Sequence, residues 1–255
     1  MSDDIAIRLQ NVSKTFTIRD KVRGNFLEKS WAVLSGKNKR RIEAVKNISL
    51  EIKRGEFIGI VGANGSGKST LIHLMTGVYK PDKGGISEIF GSFIRLSLGL
   101  GFNNELTARE NIFLNGSVMG VKMSELKENF RKIIKFAELE KFVNTKIKYF
   151  SRGMRARLAF AVAVHAEADV ILMDEFFGGV GDERFKARSD EIFAETFVKG
   201  RTIVHVSHNL STIKKYANRV ILLHEGHCLG IGTTDEIFDL YRRTIKVERL
   251  NIREE

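Results

Sequence analysis

Glu56-Phe57-Ile58-Gly59-Ile60-Val61-Gly62-Ala63-Asn64-Gly65-Ser66-Gly67-Lys68-Ser69-Thr70 decides the fold of this 255-residue chain. Its first six residues read as a buried strand, and Ser69 to Met75 reads as the start of a helix. Between them lies G-x-x-x-x-G-K-[ST], the phosphate-binding P-loop pattern. Glycines let the backbone wrap an anion so that its N–H groups point inward. The helix that follows adds its positive end. Gly62, Asn64, Gly65, Ser66, Gly67 and Thr70 form the predicted cradle. Lys68 can reach the β- and γ-phosphates, and the Ser69 hydroxyl can bind Mg²⁺. The motif implies a nucleoside triphosphate without saying what its energy drives.

The length suits one sizeable domain with at most a small appendage. The composition, 43% hydrophobic, is enough to bury a core. A single cysteine, Cys228, excludes an intrachain disulfide framework and fits a reducing compartment. The start, Met1-Ser2-Asp3-Asp4, lacks the basic-then-apolar pattern of a secretory signal. The longest apolar run, Leu158 to Val164, is far short of the roughly 18 residues of a membrane span. The net charge of +11 points to an anionic partner. Residues 19–46 concentrate it, with nine Lys or Arg against Asp20, Glu28 and Glu43. Within that insertion, residues 26–34 could form a short amphipathic helix.

Strands are predicted at Ile5–Val12 and Asn47–Lys53 around the insertion, then at Glu56–Val61, Ala168–Met173 and Thr202–Ser207. A hairpin is predicted from Val220, turning at Glu225-Gly226. Helices are predicted at 124–142, capped by Ser124, and at 151–165. Thr233 and Glu236 form a capping box for a last helix. Strands alternating with helices predict an α/β fold with a mainly parallel sheet.

A P-loop enzyme needs a second acidic site for Mg²⁺ and a group to activate water. Val170-Ile171-Leu172-Met173-Asp174-Glu175 supplies both. Carboxylates at the carboxyl end of a buried strand sit where α/β ligands bind. Asp174 would hold Mg²⁺, and Glu175 would polarise water as general base. Taken alone, the pair reads equally well as a solvated acidic turn. His208 follows another apolar strand and could reach a γ-phosphate. Alone, it reads better as a loop histidine.

The order of P-loop, Ser151-Arg152-Gly153, Asp174-Glu175 and His208 resembles the nucleotide-binding subunit of ABC transporters, over nearly the whole chain. The resemblance implies a P-loop NTPase of ABC type: a mixed-sheet core, an N-terminal antiparallel β subdomain and a helical subdomain at about 103–165. It implies an ATPase domain over 1–240 and a short tail at 241–255. ATP and Mg²⁺ are the implied cofactors. Ser151 and Gly153 match the signature turn that covers ATP held by a second copy, so a homodimer is implied. Phe16 falls where the family stacks an aromatic on adenine, a position a core or surface aromatic would fill equally well. Asp182 matches the loop that crosses the dimer interface. Asn103 stands in place of the usual glutamine that links Mg²⁺ to the transmembrane partner. Arg152 replaces a small signature residue, and Phe176-Phe177 is bulkier than the family's usual pair.

Leu98 to Ile112, the run from Phe150 to Phe160 and Val180-Gly181-Asp182 resemble the exporters of O-antigen, capsule and teichoic acid. This branch implies a transmembrane permease partner and a peripheral position on the cytoplasmic side of the inner membrane. The basic insertion would then meet a lipid-linked glycan or an anionic membrane surface. About fifteen residues follow Leu240, so an added glycan-binding domain is not expected in this chain. Two other readings stay open: a soluble ABC ATPase acting on nucleic acid or ribosomes, and a weakly hydrolysing nucleotide-dependent regulator. Nucleic acid is the less expected partner, since neither a second nucleotide domain nor a long coiled-coil insertion is present.

Overall fold

The computed structural model describes residues 4–19, 39–97, 101–166, 168–174, 183–198, 200–207 and 210–251. The predicted helix at 26–34 lies outside them. Two sheets form the frame. The smaller is antiparallel, in the order β2-β1-β4, with β1 at Ile5–Arg19, β2 at Lys39–Lys53 and β4 at Ile86–Ile89. The first two strands run much further than their apolar alternation suggests. Beyond Val12 and before Val45 the ladder continues through polar and basic residues, paired from Lys14–Val45 to Arg19–Lys39. Backbone hydrogen bonding, blind to side-chain polarity, carries the hairpin into solvent.

The larger sheet has the order β5-β6-β7-β3-β8-β9. Its strands are β5 (Phe93–Ser97), β6 (Val170–Asp174), β7 (Thr202–Val206), β3 (Phe57–Val61), β8 (Arg219–His224) and β9 (His227–Gly232). All neighbours are parallel except β8 and β9. Strands β3 and β7 are buried at every position, as a parallel sheet covered on both faces requires. Ile58, Ile60, Leu172, Val204, Val206 and Ile221 pack towards α1 (Lys68–Met75) and the small sheet. Alternate residues, including Phe57, Ile171, Met173 and Ile203, pack towards the helices between β5 and β6.

Those helices are α2 (Ala108–Val118), α3 (Met123–Ala137) and α4 (Arg152–Val164). The helix predicted at 124–142 differs in detail. Ser124 lies inside α3, and the N-cap is Lys122, which makes no side-chain cap. At its other end Glu138 turns left-handed at φ 58°, and a 3₁₀ turn at Glu140–Phe142 follows. After β6 come α5 (Glu183–Ile192), a π-helical turn at Phe193–Val198 and α6 (Leu210–Tyr216). The last helix, α7, spans Thr234–Asn251 and so runs through residue 240. Thr233 and Glu236 make the predicted reciprocal cap, at 2.8 and 3.4 Å. Among the described residues no helix is long and apolar enough to cross a membrane.

Candidate nucleotide site

Parallel strands deliver their following loops to one edge of the sheet. Here β3 runs into the P-loop, β6 ends on Asp174, β7 leads to Ser207, and β5 leads towards Asn103. The register levels them: Val206 pairs with both Ile60 and Asp174, and Asp174 also pairs with Ser97. Asp174 is thus two strands, about 10 Å, across from the strand that carries the P-loop.

The loop is held from both sides. Gly62 has φ 154° and lies so close to Leu223 that a Cβ would sit 2.1 Å from the Leu223 carbonyl oxygen. Gly67 has φ 103°, and a Cβ there would meet the Ala44 carbonyl oxygen at 2.3 Å. The β8–β9 turn braces the loop: the Gly226 N–H donates to the Ser66 carbonyl at 3.1 Å, and the Lys46 N–H donates to the Gly226 carbonyl at 2.8 Å. Sequence reasoning saw Glu225-Gly226 only as a turn; its role as a wall comes from the sheet order.

The cradle fits a phosphate chain. Gly67 caps α1 in a left-handed conformation with no side-chain cap, leaving first-turn N–H groups for an external anion. The Ser66 hydroxyl oxygen is buried and finds no hydrogen-bond partner among the described residues. The Lys68 ammonium is nearly buried and donates to the Gly62 and Ala63 carbonyls at 2.9 and 2.8 Å. A phosphate oxygen is a stronger acceptor than either. The cavity above the loop is about 600 Å³. Asn64, Gly65, Gly67, Lys68, Ser69 and Thr70 form its floor, and Glu225 closes one side. From β2 come Arg40, Ile42, Glu43, Ala44 and Lys46. Sequence patterns did not point to Arg40 or Lys46 as neighbours of the P-loop cavity, because only the hairpin register brings them there.

Other predicted residues fall as follows. Phe16 pairs across the ladder with the cavity-lining Ile42, and its ring packs edge-on to Tyr79 at 5.2 Å. Asn103 is turned back on its own loop: its Oδ1 accepts from the Glu105 N–H at 2.9 Å, and its N–H donates to Asn111 Oδ1 at 2.8 Å. Ser151 is the N-cap of α4, accepting from the Met154 N–H at 3.2 Å, with Arg152 and Gly153 in the first turn. It belongs to the helical block and not to the P-loop cavity of its own chain. Glu175, Asp182 and His208 lie outside the described residues.

Fold and cradle together define a P-loop nucleotide-binding protein with a helical block inserted between β5 and β6. Residues 45–178 match the family model described as ABC transporter. The O-antigen export system ATP-binding protein RfbB of Klebsiella pneumoniae is 34% identical over 245 residues, 94% of this chain and 98% of the relative. The teichoic acids export ATP-binding protein TagH of Listeria monocytogenes is 35% identical over 250 residues, 96% of this chain and 72% of the relative. The solved structure of an ATP-binding subunit of an ABC transporter matches with TM-score 0.69 at 21% identity, over 97% of this chain and 98% of that one. A dimeric ATP-binding cassette, in a post-hydrolysis state bound to ADP and Pi, matches with TM-score 0.68 at 25% identity. It covers 89% of this chain and 98% of that chain. The chain belongs to the ABC transporter family.

Proposed function

We propose that this chain is the ATP-binding and ATP-hydrolysing subunit of an exporter for lipid-linked polysaccharide of the O-antigen, capsule or teichoic acid type. The observation that carries the reading is the P-loop cavity on the same sheet edge as Asp174, in a chain that aligns over nearly its full length with an O-antigen export ATPase.

Lys68, Ser66 and the first-turn N–H groups of α1 bind and orient the triphosphate. Ser69 and Asp174 would hold Mg²⁺, with Asn103 reaching it after leaving its own loop. When bound, Mg²⁺ neutralises charge on the phosphates. Glu175 takes a proton from the attacking water, and His208 orients the γ-phosphate. Phe16 offers its ring to the adenine. Ser151 and Gly153 of one copy cover the triphosphate held by the other, and Asp182 crosses the interface, so turnover depends on dimerisation. The partner in the membrane is a permease, and the chain lies peripherally on the cytoplasmic face of the inner membrane. The ATPase unit is taken as residues 1–240, with 241–255 as a tail.

The basic stretch 19–46 divides its labour. Arg40 and Lys46 face the nucleotide cavity, which leaves the remaining charges to meet anionic headgroups or the glycan's pyrophosphate, at about 1 kcal/mol each near such a surface. Deleting the gene should remove long-chain surface polysaccharide on an immunoblot. Wild type should restore it and Glu175→Gln should not; full restoration by Glu175→Gln would overturn the reading. Neutralising Arg19, Lys21, Arg23 and Lys29 together should lower export while basal ATPase activity persists.

A further inference from the structure

Arg95 has no role in the P-loop pattern, yet it lies against the carboxylate at the end of β6. The register pairs Arg95 with Leu172 and Ser97 with Asp174, so Arg95 and Asp174 both point to the α1 side of the sheet. Arg95 Nη2 is 3.2 Å from Asp174 Oδ2, with the side chains only 21% and 14% exposed. A carboxylate withdrawn this far from solvent must be satisfied by a cation or by several donors. The guanidinium makes this pair through Nη2, while its buried Nε finds no acceptor among the described residues. Burial lowers the basicity of His73 on α1, Arg95 lowers it further and Asp174 opposes them.

We propose that Arg95 is the resident counter-cation of Asp174, holding the carboxylate oriented and weakening its grip on the divalent cation that accompanies ATP. The inference rests on the reading of Asp174 as the metal-bearing carboxylate. Two routes lead to the same sign. If Arg95 stays when the metal enters, a guanidinium and a divalent cation repel across a few ångströms of poorly solvated space. If Arg95 swings away, the ion pair is broken and a buried guanidinium must find new partners. Either way the metal binds less tightly than it would at an unpaired carboxylate. Arg95 is thus a positioning residue: it acts through Asp174 and touches no reacting atom.

The test is a Mn²⁺ titration followed by electron paramagnetic resonance, at saturating non-hydrolysable ATP analogue, on wild type, Arg95→Gln, Arg95→Lys and Asp174→Asn. Arg95→Gln should bind Mn²⁺ about tenfold more tightly than wild type. Arg95→Lys, which keeps the charge but loses the planar fork, should fall between the two. Asp174→Asn should bind more weakly than wild type. Thermal melts give a second readout that survives a poorly folding variant. Arg95→Gln should melt lower than wild type without ligand, and metal with analogue should raise its melting temperature more than that of wild type. Weaker metal at Asp174→Asn with unchanged or weaker metal at Arg95→Gln overturns the proposal and leaves the site reading standing. Unchanged metal affinity at Asp174→Asn overturns both.

Discussion

Two helix N-termini in this molecule are built in opposite ways. Helix α1 starts at Gly67, left-handed and without a side-chain cap, beside a buried Ser66 hydroxyl with no partner among the described residues. Helix α4 starts at Ser151, whose own hydroxyl oxygen accepts from the Met154 N–H. The first is incomplete until an anion arrives. The second is satisfied within its own chain, and its hydroxyl proton is still free to donate to an acceptor brought from outside. On the function proposed above, one sequence holds both halves of a composite site: an uncapped cradle, and a cover whose own cap is already made.

The cradle side should respond most strongly. Glu175→Gln should lower ATP turnover by about 10²–10⁴-fold while nucleotide binding persists; steady-state phosphate release beside a fluorescent-nucleotide titration measures both. Equal turnover would return the chain to the weakly hydrolysing regulator. Lys68→Ala removes a charged donor from the phosphate chain and should weaken ATP binding by about 10–100-fold in the same titration. If the affinity is untouched, the uncapped helix end alone holds the nucleotide.

The strand that carries the cradle's neighbour also makes it sensitive to acid. His205 on β7 is fully buried against Phe57, and burial pushes its pKa down to about 4, from 6.5. The unfolded chain therefore takes up the proton first. Stability from this group is complete above pH 6.5 and is lost as pH falls towards 4, by up to about 3 kcal/mol. Denaturant melts across that range should show a flatter slope for His205→Leu than for wild type.

The cover side should give the smallest stability change and the clearest division of roles. Ser151→Ala removes a cap and should destabilise the fold by about 1 kcal/mol. Ser151→Asp keeps a good capping oxygen but sets a negative charge towards the partner's triphosphate. It should melt like wild type and fail to dimerise with ATP on size-exclusion chromatography in the Glu175→Gln background. Normal dimers with Ser151→Asp would remove the signature turn from the site.

Most of the cradle was legible because it is local. The P-loop needs consecutive residues, and the apolar run before it can only be a buried strand. Asp174 was legible for the same reason, since it ends an apolar strand; Ser151 stood out only through the resemblance of its turn to the family signature, and its cap on Met154 is a finding of the structure. The extended hairpin was not. Its outer rungs, from Lys14 to Arg19 and Lys39 to Val45, are held by backbone pairing that leaves little trace in side-chain polarity. The start of α3 was misread because Ser124 has capping chemistry but lies one residue inside the helix.

By itself, the sequence marked residues 62–70 as a phosphate-binding loop pattern and set acidic residues after an apolar strand, since both are properties of short contiguous segments. The tertiary structure decided which distant groups share that site. The parallel order of β5, β6, β7 and β3 sets Asp174 level with the P-loop strand. The hairpin register turns Arg40 and Lys46 onto the cavity, the β8–β9 turn braces Ser66, and β5 lays Arg95 on Asp174. The physical reason is that strand order and register are set by packing across the whole sheet, and no short segment encodes them.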